Sequence, residues 1–333
     1  SADVASPFMR CGRYVDNNGV AVNPDFFDPG TEDRDFGIAD HAPFESKGGS
    51  REQFDLLFAE LELQKKDLLL FVFGFENDTK GELEHLEILH KEYVAPGGSA
   101  IGRIMMLSWP SQGLLKYNDE IRREGKLGAF FKNLFRSGKP VDENLSDAAI
   151  TGRVFAVWML KLQHYMQKRY AQAAPGVYRP RLNLITQSMA NHVLRFTAAE
   201  ITRLNKKETV KGLFENILLT SPDIRNNIFE TDENFRDAAA FAKKTWLVFS
   251  PQDPTLSIGD KIYPYTDPKS GIKKQRLGKT GPDTDIGLPP NLFKVCVQQH
   301  DIRSKLSDYN HRYFEFNSTV IQLYRSIFSG TAV

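Results

Sequence analysis

Asp67-Leu68-Leu69-Leu70-Phe71-Val72-Phe73-Gly74 is the stretch that decides the fold. A continuous apolar run closed by glycine is what a strand buried on both faces requires, and parallel sheets bury both faces. Just upstream, Ser50-Arg51-Glu52-Gln53 reads as a helix-capping box. Phe54, Leu57, Phe58 and Leu61 then fall at i, i+3, i+4 and i+7, the spacing of an amphipathic helix. The helix ends near Lys65-Lys66, whose charges suit its carboxyl end.

The same alternation continues downstream. A helical stretch from about 80 to 93 precedes a strand near 103–109. A helix from 146 to about 170 precedes the strand 182–186. Further strands are expected at 217–221, 245–250 and 293–298, with helices at 190–204 and 235–243 between them. Strands alternating with helices imply βαβ units, hence a mostly parallel central sheet with helices on both faces. Two segments stand outside this rhythm. Residues 1–49 read as an irregular N-terminal extension, with a candidate edge strand at 8–15. Residues 257–290 read as a long polar loop inserted into the domain that spans 50–333, and long loops are often lids.

Composition narrows the classes of function. The 333 residues carry a formal net charge of +1, which gives no electrostatic reason to expect nucleic acid or an anionic membrane as a partner. No apolar run is long enough to span a bilayer, and no signal peptide is visible. Two cysteines, Cys11 and Cys296, make no disulfide framework, and both read as reduced thiols of a cytoplasmic protein. Neither composition nor motif specifies an oligomeric state.

In an open α/β sheet, reactive groups gather at the carboxyl ends of the strands. The strand 182–186 runs into Gln187-Ser188-Met189-Ala190-Asn191 and then into a helix. A serine on such a turn has its hydroxyl lifted clear of the sheet, as a nucleophile elbow does. Serine also caps ordinary helices, so local sequence alone leaves both roles open. Chain order adds weight, because an acid and then a histidine follow. Asp253 stands in the turn after the strand 245–250, and Asp223 after the preceding strand is its rival. Past the last strand, His311 lies in a loop with reach back to the serine, and His300 is the alternative base. An oxyanion hole needs two backbone N–H donors. Met189 would supply one. The other would come from the loop at Gly74-Phe75, where Gly74 permits close approach and Phe75 N–H is the expected donor.

These segments resemble a mostly uncharacterised bacterial family of α/β-hydrolases related to esterases and lipases. Its members tend to read His-Gly-Phe/Tyr-Asn-Asn after the first core strand, then Ser-Trp-Pro-Ser, His-Ser-Met-Gly-Asn, Pro-Asp, Arg-Leu-Gly and His-x-Tyr. Here the corresponding residues are Phe73-Gly74-Phe75-Glu76-Asn77, Ser108-Trp109-Pro110-Ser111, Gln187-Ser188-Met189-Ala190-Asn191, Pro222-Asp223, Arg276-Leu277-Gly278 and His311-Arg312-Tyr313. Asp253 is followed by Leu256 and Ser257, as the family's acid is followed by Leu and Ser. The resemblance covers roughly residues 50–330. It implies the α/β-hydrolase fold, with Ser188 as nucleophile, Asp253 as acid and His311 as base. The chain departs from the pattern at Phe73 and Gln187, where the family has histidines, at Glu76, where it has asparagine, and at Ala190, where it has glycine. The Ala190 methyl is expected to narrow the oxyanion site.

Other motifs fail on spacing. Gly271 to Thr280 ends like a P-loop, but Lys273 stands where its first glycine should be. His85 and His90 are five apart, not the four of a zinc pair on one helix. No metal or cofactor site is expected. The expectation is thus a serine hydrolase acting on a small-molecule or lipid ester. The alternative is a catalytically silent α/β-hydrolase fold used for binding or assembly.

Overall fold

A computed structural model of the protein describes residues 50–74, 79–107, 109, 140–262, 264–267, 269–297 and 310–332. The extension 1–49, Phe75 and His300 lie outside the described residues. Helix α1 (Ser50–Gln64) leads into strand β1 (Asp67–Val72), whose six residues are all buried. Helix α2 (Thr79–Leu89) runs on through a π-helical turn to Val94 and precedes β2 (Ile101–Leu107). Next come α3 (Pro140–Ala171), β3 (Leu182–Gln187), α4 (Ala190–Arg203) and β4 (Phe214–Thr220). Helix α5 (Glu233–Ala238), β5 (Ala242–Phe249) and α6 (Pro254–Ile262) follow. A small hairpin, β6 (Tyr265–Thr266) and β7 (Lys273–Lys274), precedes β8 (Leu292–Cys296) and α7 (Ser318–Ser329).

The six-stranded sheet has the order β2-β1-β3-β4-β5-β8, and every neighbouring pair is parallel. Alternate residues of each strand feed two separate cores. Leu68, Leu70, Val72, Leu184, Ile217 and Leu219 pack against α1, α3, α4 and α5 on one face. Leu69, Phe71, Ile185, Leu218, Trp246 and Val248 pack against the end of α2 and against α7 on the other. Each such side chain contributes about 1.5–3 kcal/mol when taken fully out of water, which is why the runs read as uninterrupted apolar sequence. Strand order reverses between β1 and β3. The crevice outside that reversal is where open α/β sheets bind ligands. Gly74 and Ser188 stand at its two sides.

The stretch 257–290 is not the long loop expected from its composition. Its first residues continue α6, the hairpin follows, and residues 277–280 form one further helical turn. Polar contacts hold it: the buried Arg276 bonds to Asp223 and Asp260, and Leu277 N–H bonds to Ile224 O at 2.7 Å. Order made by charge pairing leaves no apolar period to read. Among the described residues no helix is long and apolar enough to cross a membrane.

Candidate active site

Ser188 follows β3 with φ of +54°, a left-handed conformation that serine adopts only under constraint. The constraint comes from several sides. Ser188 N–H donates to Thr220 O at 3.0 Å, which continues the sheet one residue past the strand. Its carbonyl accepts from Asn191 Nδ2 at 2.9 Å and from the Asp223 amide at 3.1 Å. Thr186 Oγ1 donates to Asn191 Oδ1 at 2.9 Å, so the fully buried Asn191 ties both ends of the turn. The role of Asn191 was legible only as a letter of the motif, because its partners, the Thr186 hydroxyl and the Thr186 and Ser188 carbonyls, all belong to the turn itself. Ser188 is buried, with 7% of its surface exposed.

Asp253 and His311 are brought together. His311 Nδ1 lies 2.7 Å from Asp253 Oδ2. A carboxylate can only accept, so His311 Nδ1 carries the proton of this bond. The second carboxylate oxygen is used too: Asp253 Oδ1 accepts from Leu256 N–H at 3.0 Å, capping α6. With both oxygens held, the carboxylate has one orientation. Two residues beyond His311, the buried Tyr313 hydroxyl donates to Val248 O at 2.7 Å and accepts from Ser221 N–H at 3.0 Å. Ser221 Oγ in turn donates to His311 O at 3.3 Å. The histidine loop is thereby fastened across the carboxyl ends of β4 and β5, beside β3 and its serine.

The rival acid is placed elsewhere. Asp223 Oδ1 accepts from Arg276 Nε at 2.7 Å and is approached by the Tyr265 hydroxyl, while His311 pairs with Asp253. Asp223 thus serves an ion pair beneath the serine turn.

The oxyanion expectations divide. Met189 N–H, directly after the serine, has no acceptor among the described residues. Gly74 does approach the serine: a methyl on it would come 2.6 Å from Ser188 Cβ, so no other residue fits. Its N–H, however, is already committed, donating to Gln187 Oε1 at 3.1 Å. The expected donor, Phe75 N–H, lies outside the described residues, and Gly74 gives close approach rather than a donor. The physical reason is Gln187 itself, whose amide side chain has an acceptor to offer at that distance. Ala190, at the start of α4, is fully buried and belongs to the larger of the two cores. Trp109 was quoted only as a motif letter; its Nε1–H donates to Phe73 O at 2.6 Å and anchors the end of β1. The Phe73 ring lies 4.0 Å from that of His85, which is buried and bonded to Glu315 at 2.8 Å.

His192, one helical turn past the serine, is buried. Its Nε2 is 3.2 Å from the Tyr265 hydroxyl, which itself donates to Asp223 O at 3.0 Å. Burial drives its pKa down to about 4; Arg195 and Arg225 add to the shift and Asp223 opposes it. The unfolded chain, with histidine near 6.5, then binds the proton more readily. Stability is complete above pH 6.5 and falls as pH drops towards 4. The expected loss from this residue is about 2 kcal/mol by pH 5. Urea midpoints at pH 7 and pH 5 check it, since His192→Gln should lose correspondingly less on acidification.

Among the described residues no cluster of histidine, cysteine and carboxylate side chains is arranged to hold a metal. Chemically, the arrangement offers a hydroxyl on a turn at positive φ and an imidazole oriented by a buried carboxylate, both at the rim of one sheet. Comparison of the chain with protein-family models, curated proteins and solved structures finds no match to any of them.

Proposed function

We propose that this protein is a serine hydrolase of the α/β-hydrolase fold, cleaving carboxylic esters through an acyl-enzyme on Ser188. In this reading Ser188 Oγ attacks the ester carbonyl while His311 Nε2 takes its proton. The tetrahedral oxyanion is held by Met189 N–H, with Phe75 N–H as the second donor. His311 returns the proton to the leaving alcohol as the carbon–oxygen bond breaks. Water, activated by the same imidazole, then releases the acid and frees the serine. Asp253 fixes the imidazole tautomer and stabilises the imidazolium.

The observation that carries the reading is the 2.7 Å contact between His311 Nδ1 and Asp253 Oδ2. It joins residues distant in sequence at the strand ends flanking a serine held at positive φ. The sheet order, with its reversal between Gly74 and Ser188, supports the same fold. The test is incubation with a fluorophosphonate probe followed by mass-spectrometric mapping of the modified peptide. Modification at Ser188 is expected, with hydrolysis of short p-nitrophenyl esters. Modification at any other residue defeats the assignment.

One observation favours the second reading, a silent hydrolase fold used for binding. The Gly74 amide is occupied by Gln187, which removes one donor from the rim of the oxyanion site. Protein that ignores both the probe and the esters would select that reading.

A further inference from the structure

Beneath the serine turn lies a polar assembly that the catalytic scheme does not use. Asp223 N–H donates to Ser188 O at 3.1 Å, so the position of Asp223 bears directly on the strained residue. Asp223 is itself gripped. Its Oδ1 accepts from Arg276 Nε at 2.7 Å, and its carbonyl accepts from Tyr265 OH at 3.0 Å. Arg276 is 4% exposed, donates through NH1 to Asp260 Oδ1 at 3.1 Å, and lies 4.7 Å from the centre of the Tyr265 ring. Gly259 makes room for it, since a methyl there would come 2.7 Å from the guanidinium carbon. The backbone follows the side chain: Gly278 N–H donates to Pro222 O at 2.8 Å, and a methyl on Gly278 would strike the Ser221 carbonyl carbon at 2.4 Å. The inserted segment is therefore bolted to the loop after β4, where it braces the serine rather than covering it.

We propose that Arg276 is a positioning residue for Ser188, holding Asp223 so that its amide fixes the carbonyl of the strained turn. The proposal rests on the hydrolase reading for its consequence in rate, and on the structure alone for the clamp itself. A guanidinium is required because the contacts diverge in one plane, Nε to Asp223 and NH1 to Asp260; the point charge of lysine cannot serve both. Loss of the clamp leaves the substrate-facing surface intact and lets the hydroxyl wander. The penalty belongs in kcat, because a misplacement of about 1 Å can cost on the order of a hundredfold in rate.

The test compares wild-type protein with Arg276→Ala and Arg276→Lys. Arg276→Ala is expected to lower the rate constant for fluorophosphonate labelling and kcat for p-nitrophenyl acetate by roughly 10–100-fold, with KM within about twofold. Guanidinium chloride at millimolar concentration should restore at least a tenth of the lost rate, and urea at the same concentration should not. Arg276→Lys should recover little. Should Arg276→Ala fail to fold, Asp223→Asn tests the same link, because it keeps the amide and the size while releasing the arginine; a loss of about tenfold is expected. Hydrogen exchange separates the two premises. If wild-type protein proves inert to the probe, faster exchange of residues 189–192 and 221–225 in Arg276→Ala still supports the clamp. Unchanged exchange overturns the clamp, and so do labelling at the wild-type rate or equal rescue by urea.

Discussion

Ser188→Ala is expected to abolish fluorophosphonate labelling and to lower ester turnover on the order of a millionfold. The size follows from the route proposed. Without the hydroxyl there is no acyl-enzyme, and His311 can only assist water at a carbonyl held in place by backbone donors. Folding should barely change, because the substitution removes a single oxygen atom whose hydroxyl has no hydrogen-bond partner among the described residues. Alanine also keeps the left-handed backbone that serine endures there, at a similar cost. The measurements are intact-protein mass after probe treatment, initial rates on p-nitrophenyl acetate, and a thermal melt. A melt within a few degrees of wild type with rates gone is the expected pattern. Undiminished turnover in this variant would sink the assignment of Ser188.

Asp253→Asn is expected to cost about 10⁴-fold in kcat with little change in KM. The substitution separates the two duties of this side chain. Asparagine Oδ1 can still accept from Leu256 N–H and keep the cap on α6. Its amide NH₂, now facing His311 Nδ1, makes that nitrogen an acceptor and moves the proton to Nε2. The imidazole then presents a hydrogen to Ser188 where a lone pair is needed. Crystallography or NMR of the variant should show the cap intact, and the histidine tautomer, read from nitrogen chemical shifts, reversed. Asp253→Ala should lose comparable activity and also destabilise α6, by about 1 kcal/mol for a lost cap. A fully active Asp253→Asn would remove Asp253 from the mechanism.

The central sheet was legible because its strands are buried on both faces, so Leu68 to Phe73 and Ile217 to Leu219 carry apolar residues at successive positions. Chain order narrowed the acid to Asp253 or Asp223 and the base to His311 or His300, and the family resemblance implied Asp253 with His311. Three features were hidden for physical reasons. The insertion is ordered by Arg276, whose partners Asp223 and Asp260 are far apart in sequence, and ion pairing leaves no period to detect. His192 reads as a helix-surface residue until the Tyr265 hairpin is laid against it. The commitment of Gly74 N–H depends on Gln187, 113 residues away, meeting it across the β1–β3 gap. One signal was available and went unread: Asp253-Pro254 is an N-cap followed by a proline at the first helical position, which announces α6.

The positive φ of Ser188 sets the needs of the reaction against those of folding. Glycine would occupy that backbone geometry with less strain. Ser221, with φ of +43°, is strained in the same way, so the chain carries two such bends side by side, just past the carboxyl ends of the paired strands β3 and β4.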